Sequence, residues 1–441
     1  MTRPQLSRRD WLRLSAAGVL GGSMSGWLET LANETATDPQ RRRSCILLWM
    51  NGGPSQMDTF DLKPGTTNGG PYKEIDTSAP GIKISEHLPR IAKFADRMAI
   101  VRGMSTKEGD HGRATFLMRT GYLPQGPIQY PTMGSFLSKE LGKSDAPLPN
   151  FVSISPFRVF SAGAFGPGFL GPQYAPLIVG EAAGFGRVQG NGGNIDDALK
   201  VQDLVPTGQV NEDHAAARID LLRDMQQDFG ASHPGVPTQS HQTAYDRAVK
   251  LMTSEANRAF NLTEEKAALR DAYGRNLFGQ SCLLARRLVE RGVPFIEITL
   301  SGWDTHGQNF DQVKRLSETL DPAWATLMED LKDHGLLDST LIVWMGEFGR
   351  TPKINPGQGR DHFPNAWSTV LAGGGIKGGS VVGKTSKDGM TVEERPVATS
   401  DLLATVCLAL GVDPRTQNAS NVGRPIRLAD PTAKPIKEVV A

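Results

Sequence analysis

The chain has 441 residues, with 48 Lys and Arg against 47 Asp and Glu, a formal net charge of +1 at pH 7. That balance argues against a nucleic-acid binder or a polyanion-seeking surface. The length allows one large domain or two ordinary ones, and 49 Gly with 29 Pro predict a loop-rich architecture rather than a helical bundle.

In chain order, Ser7-Arg8-Arg9-Asp10-Trp11-Leu12 reads as a twin-arginine n-region, with Arg3 and Arg13 adding charge. A run of small apolar residues follows from Leu14 to about Leu28, broken by Gly18, Gly21 and Gly22. A spanning helix needs about 20 apolar residues, so residues 1–36 are expected to be a signal peptide, with cleavage near Ala32 or Ala36. The expected route is the twin-arginine translocase, delivering a periplasmic or extracellular protein, or one anchored by an uncleaved signal. Cys45, Cys282 and Cys407 lie in apolar runs without CxxC spacing, so they read as buried hydrophobes rather than a disulfide framework.

Continuous apolar runs predict strands at 45–50, 98–102, 151–154, 176–179, 295–300, 340–344 and 368–371, the last entering a glycine-rich hairpin that reaches Val382. Helical patterns fall at 113–118, 214–229, 243–261, 263–291 with a cap at Thr263, 311–334 with a break at Pro322, and 400–410. Residues 182–237 read as an insertion at the sheet rim. Strands separated by helices predict an α/β domain over residues 37–441, with a mostly parallel central sheet covered by helices on both faces. Ligands in such folds gather above the carboxyl ends of the strands.

Three polar motifs fall there: Gly302-Trp303-Asp304-Thr305-His306-Gly307, Gly346-Glu347-Phe348-Gly349-Arg350 and Gly359-Arg360-Asp361-His362-Phe363-Pro364. In extended backbone, Asp304 and His306 project to the same side, so both can reach one ion. Carboxylates and imidazoles converging on loops make a divalent metal site the expected chemistry. After the first strand, Asn51-Gly52-Gly53-Pro54-Ser55-Gln56-Met57-Asp58 offers the oxygens of Asn51 and Asp58, and its glycines allow backbone to approach an anion. After the second, Ser105 to Arg113 opens a helix, where His111 supplies a base or ligand and Arg113 a cation.

These motifs resemble the exported family called domain of unknown function 1501, itself similar to the alkaline phosphatase and sulfatase superfamily. The resemblance rests on Gly52-Gly53-Pro54-Ser55 leading to Asp58-Thr59-Phe60-Asp61, on Gly302 to His306, and on Gly346 to Pro352. It implies an alkaline-phosphatase-like fold in which Asp304, His306 and His362 bind one metal. Asn51 stands where a carboxylate ligand is usual, and Glu347-Phe348 where an Asp-His pair is usual. Thr120-Gly121-Tyr122 resembles the turn that closes the nucleophile helix, which puts His111 near the nucleophile position. No Cys-x-Pro-x-Arg sulfatase signature is present.

The function so implied is hydrolysis of phosphate or sulfate esters with a divalent ion, Zn or Ca/Mn. The substrate would be a small anionic ester or a sulfated or phosphorylated glycan. Glu347 is a fourth ligand or general base, His111 a nucleophile, acid/base or additional ligand, and Arg350 or Arg113 steadies the anion. A binuclear site would draw further on Glu347, Asp58 and His111, with Asn51 as a further oxygen donor. The alternative is a catalytically degenerate member that binds a glycan or partner protein, motivated by the losses at Asn51 and Phe348.

Overall fold

Every residue of the first strand, β1 (Ser44–Asn51), is buried, as an apolar run must be where helices cover both faces of a sheet. The computed structural model describes residues 43–124, 126–180, 194–201, 204, 211–233 and 235–441. The twin-arginine segment and the glycine-rich stretch at 181–193 lie outside the described residues. Residues Arg42–Ala441 form one compact unit.

Seven more strands join β1: β2 (Met98–Met104), β3 (Phe151–Ile154), β4 (Leu177–Val179), β5 (Phe295–Ser301), β6 (Thr340–Met345), β7 (Trp367–Gly373) and β8 (Ser380–Val382). Their order across the sheet is β8-β2-β7-β6-β1-β5-β3-β4. Pairing is parallel between β1 and its neighbours β5 and β6, between β5 and β3, β3 and β4, and β2 and β8. β7 runs antiparallel to both β2 and β6. The fold class is therefore the expected one, a mostly parallel sheet.

The hairpin expected from Ser368 to Val382 does not form. β7 and β8 flank β2 instead of pairing with each other. The glycine-rich link at 374–379 has to cross two strand spacings, about 10 Å, which six residues span with ease.

The longer helices are α1 (His111–Thr120), α2 (Met133–Leu141), α3 (Glu212–Ser232), α4 (Val236–Thr253), α5 (Leu277–Glu290), α6 (Asn309–Asp333) and α7 (Thr399–Ala409). Side chains of β1 alternate between two cores. Ile46, Leu48 and Met50 pack with α5 and α6, whereas Cys45, Leu47 and Trp49 pack with α1, α2 and α7. All three cysteines are free and buried. α3 packs on α4 and leaves Leu221, Met225 and Phe229 exposed. Among the described residues no helix is long and apolar enough to cross a membrane.

Three helix expectations need correction. The pattern at 263–291 is interrupted: a short helix (Ala267–Tyr273) stops at Gly274, whose φ is +90°, and Asn276 caps α5 by accepting from Gly279 N. The pattern at 243–261 stops earlier, at Thr253, and continues only as a 3-10 turn (Glu255–Phe260). Pro322, by contrast, does not break α6. A mid-helix proline costs about 3 kcal/mol, but Val313, Leu320, Trp324 and Leu327 are fully buried on the same helix. At roughly 1.5–3 kcal/mol per large side chain, packing wins.

Candidate metal centre

Strands β1, β5 and β6 end side by side, with Asn51 opposite Ser301 and Trp49 opposite Met345. The loops that follow carry the first two polar motifs. Gly52 lets them touch: its φ is +112°, and a Cβ there would sit 2.4 Å from Asp304 N. The third motif docks through a two-residue ladder that pairs His362 with Arg350 and Phe363 with Gly349. Gly359 is equally confined, since a Cβ would fall 1.9 Å from His306 O.

Four side chains converge as a result. His306 Nε2 lies 3.0 Å from Asp304 Oδ1 and 3.0 Å from His362 Nε2, and His362 Nε2 is 3.3 Å from the same carboxylate oxygen. His111 Nε2 approaches Asp304 Oδ1 at 3.3 Å, yet forms no hydrogen bond there. Ligand atoms of His111, Asp304 and His362 all lie within 4.8 Å of one another.

The far sides of these groups are tied down. His362 Nδ1 donates to the Gly109 carbonyl at 2.7 Å, and His306 Nδ1 meets Asp361 Oδ1 at 2.9 Å. A carbonyl can only accept, so in the neutral His362 ring the proton sits on Nδ1 and the Nε2 lone pair faces inward. The Asp361 carboxylate fixes His306 in the same way. Two inward lone pairs and a carboxylate oxygen repel unless a proton or cation stands between them. Ligands of a tetrahedral zinc at about 2.0–2.1 Å are about 3.3 Å apart, close to the spacings here. Tethering of the distal nitrogen to a carboxylate or carbonyl is the usual support of a metal-bound imidazole. Asp304, His306 and His362 therefore fit a divalent cation.

Electrostatics agree in direction. Burial disfavours charge on His111, but contacts with Asp304 and Glu347 outweigh it and raise the pKa from 6.5 to about 9. Burial alone would raise Asp304, while His111, His362 and Arg350 hold it well below the usual carboxylate range.

The remaining predicted residues divide. Glu347 is fully buried, and its Oε1 accepts from Gly52 N at 2.9 Å and meets His111 Nδ1 at 2.7 Å. It stands behind His111. Asn51 Oδ1 and Glu347 Oε2 are buried without a hydrogen-bond partner. Asp58 is not brought to the centre: Arg360 Nε, Ser55 Oγ and Asn309 Nδ2 donate to its Oδ2 at 2.7, 2.5 and 2.9 Å. Arg360 Nη2 also reaches Asp58 Oδ1 at 3.2 Å, so both carboxylate oxygens are engaged by groups other than the imidazoles. Arg350 is also enclosed; it donates to the carbonyls of Gly52, Gly53 and Arg360 and, at 2.6 Å, to Asp304 Oδ1, the same oxygen that the imidazoles approach. With its donors committed, it orients Asp304 rather than an anion. Arg113 stays at the surface, paired with Glu108 at 2.8 and 3.0 Å.

Sequence reasoning gave no role to Asp361, the Gly109 carbonyl or Phe160. Asp361 adjoins His362, and that adjacency was the available signal. Phe160 stacks on His111 with ring centroids 4.3 Å apart, and nothing in its local sequence marks it.

The family model described as "Protein of unknown function (DUF1501)" matches residues 42–440. The chain belongs to the DUF1501 family. No curated protein matches this DUF1501 chain by sequence. Among solved structures it is similar to the lipoteichoic acid synthase LtaP from Listeria monocytogenes (10% identity, 91% of this chain and 80% of that one, TM-score 0.41). It is also similar to a protein in the alkaline phosphatase superfamily from Vibrio parahaemolyticus (12%, 90% and 77%, 0.41). A third is the PsFucS1 sulfatase from Pseudoalteromonas sp. (14%, 87% and 71%, 0.35). At such distances the chemistry of the DUF1501 site rests on its own residues.

Proposed function

We propose that this DUF1501 protein is an exported, metal-dependent hydrolase of phosphate or sulfate esters. The observation that carries the reading is the convergence of Asp304 Oδ1 with His306 and His362 Nε2 at 3.0–3.3 Å, each imidazole tethered on its far side. Asp304, His306 and His362 hold the cation, and Arg350 keeps Asp304 turned toward it. A divalent ion there supplies Lewis acidity toward an ester oxygen and a lowered pKa for water beside it. The net reaction adds water across the ester bond, one proton passing to the departing alcohol and the acid remaining as phosphate or sulfate. Arg113, in the first turn of α1, exchanges Glu108 for the anionic substrate, since exposed ion pairs hold weakly. Export by the twin-arginine route rests on Ser7 to Leu12.

Metal analysis of the purified protein, joined to a panel of aryl phosphate, phosphodiester and sulfate esters, tests the reading. About one divalent ion per chain and chelator-sensitive turnover are expected. Absence of stoichiometric metal, with His306→Ala changing neither metal content nor turnover, overturns it.

A further inference from the structure

We infer that His111 is the fourth ligand of the centre, so that three imidazoles and one carboxylate close around a single borderline cation of the Zn²⁺ kind, with Glu347 as the residue that positions His111. This deepens the metal site on which the proposed function rests.

The ring of His111 has little freedom. Its Nδ1 is held by Glu347 Oε1 at 2.7 Å, and that oxygen is itself fixed by Gly52 N–H in a fully buried setting. Phe160 lies flat on one side at 4.3 Å between centroids, and Phe348 packs at 4.9 Å. What remains is the Nε2 edge. It is buried, lacks a hydrogen-bond partner, and points within 3.3 Å of Asp304 Oδ1. A nucleophile needs an open approach to its attacking atom, whereas a ligand needs a fixed lone pair aimed at the ion. His111 has the second arrangement.

The tethering repeats across the centre. Glu347, Asp361 and the Gly109 carbonyl each take the distal nitrogen of one imidazole, the support expected of metal-bound histidines. Three nitrogens and one carboxylate oxygen suit Zn²⁺, Cu²⁺, Ni²⁺ or Fe²⁺, whereas Ca²⁺ and Mg²⁺ require shells of oxygen. The sequence-level choice between Zn and Ca/Mn thus narrows to the zinc side. Four protein ligands leave room for an ester only if coordination expands, which zinc permits.

The full chain, stripped with chelator, is titrated with Co²⁺ and then with competing Zn²⁺. One Co²⁺ per chain with the intense visible absorption of a four-coordinate ion is expected. His111→Ala should weaken Zn²⁺ affinity more than about 100-fold and collapse that absorption, and Glu347→Gln should weaken it about 10- to 100-fold. X-ray absorption of zinc-loaded wild type counts the imidazoles without any variant: three support the inference, two overturn it. Wild-type affinity and an unchanged cobalt spectrum in His111→Ala, with binding lost in His306→Ala, overturn it while the metal-hydrolase reading stands. An acid-labile phosphoryl adduct on His111 overturns it too, by making the ring a nucleophile. Failure of wild type to bind either ion removes both readings together.

Discussion

Asp58 and Arg360 stand 302 residues apart in sequence, are both fully buried, and meet at 2.7 Å. Arg360 also donates to the carbonyls of Thr351, Pro352 and Asn68. The pair therefore pins the glycine turn after β1 to the loop that carries His362. Removing one partner of a buried pair strands the other charge, at about 3–5 kcal/mol. Asp58→Ala should lower the unfolding midpoint steeply, while its folded fraction keeps full zinc stoichiometry. Loss of metal without loss of stability would return Asp58 to the ligand set.

The metal-free protein should have an unusual alkaline limb. The His111 pKa is raised from 6.5 to about 9 by Asp304 and Glu347 acting against burial. A folded pKa above the unfolded one means stabilisation that is complete below about pH 6.5 and lost as pH climbs through about 9. Asp304 is shifted the other way, so its contribution is present above the ordinary carboxylate pKa near 4 and lost in acid. With chelator present, wild type should lose stability between pH 6.5 and 9.5, and His111→Ala should show a flatter limb. Zinc should abolish the difference in wild type by replacing the proton, its affinity rising over the same range. Thermal unfolding across that range, with and without zinc, reads both effects. Equal alkaline slopes for wild type and His111→Ala would assign the limb to other groups.

The strands were legible because each is a continuous apolar run, and the meeting of Asp304 with His306 because both lie between Gly302 and Gly307 just past a strand end. Partner choice was not legible. Asp58 and Asp304 are both carboxylates that follow strand-end glycine turns, yet Asp58 meets Arg360 and Asp304 meets imidazoles. The partners that claim Asp58, Asn309 and Arg360, lie 251 and 302 positions away, beyond any local pattern. Glu347 read as a fourth ligand or general base; its contacts with the Gly52 N–H and His111 place it behind that imidazole. Pro322 misled for a similar reason, since local propensity weighs less than a buried helix face.

Gly359 offers a test of geometry that leaves every ligand in place. A Cβ would lie 1.9 Å from the His306 carbonyl oxygen and 2.6 Å from Gly307 N, both backbone atoms with nowhere to retreat. Gly359→Ala should push the His306 loop away from His362 and weaken zinc binding, whereas Gly81→Ala serves as a control that strains the backbone without a clash. Gly81, unlike Gly359, has a positive φ of +82°, and nothing lies within 4 Å of its Cβ position, so Gly81→Ala should cost backbone strain without touching the metal. Isothermal titration of both stripped variants with zinc makes the comparison. Equal affinities would show that the His306 loop is not held by this contact.

Arg113 tests where the substrate's anion rests. Its side chain is half exposed and shares two hydrogen bonds with Glu108, while Arg350 is enclosed. An exposed pair exchanges partners at little cost, so Arg113 is free to leave Glu108 for a phosphate or sulfate. Arg113→Ala should raise KM about two- to fivefold and leave kcat and zinc content near wild type. Glu108→Gln, which removes the competing carboxylate, should lower KM by a similar factor, and added salt should shrink both effects. Steady-state kinetics on one aryl ester at two ionic strengths separates the cases. If Arg113→Ala lowers kcat with KM unchanged, the guanidinium acts on the reacting group itself rather than on binding.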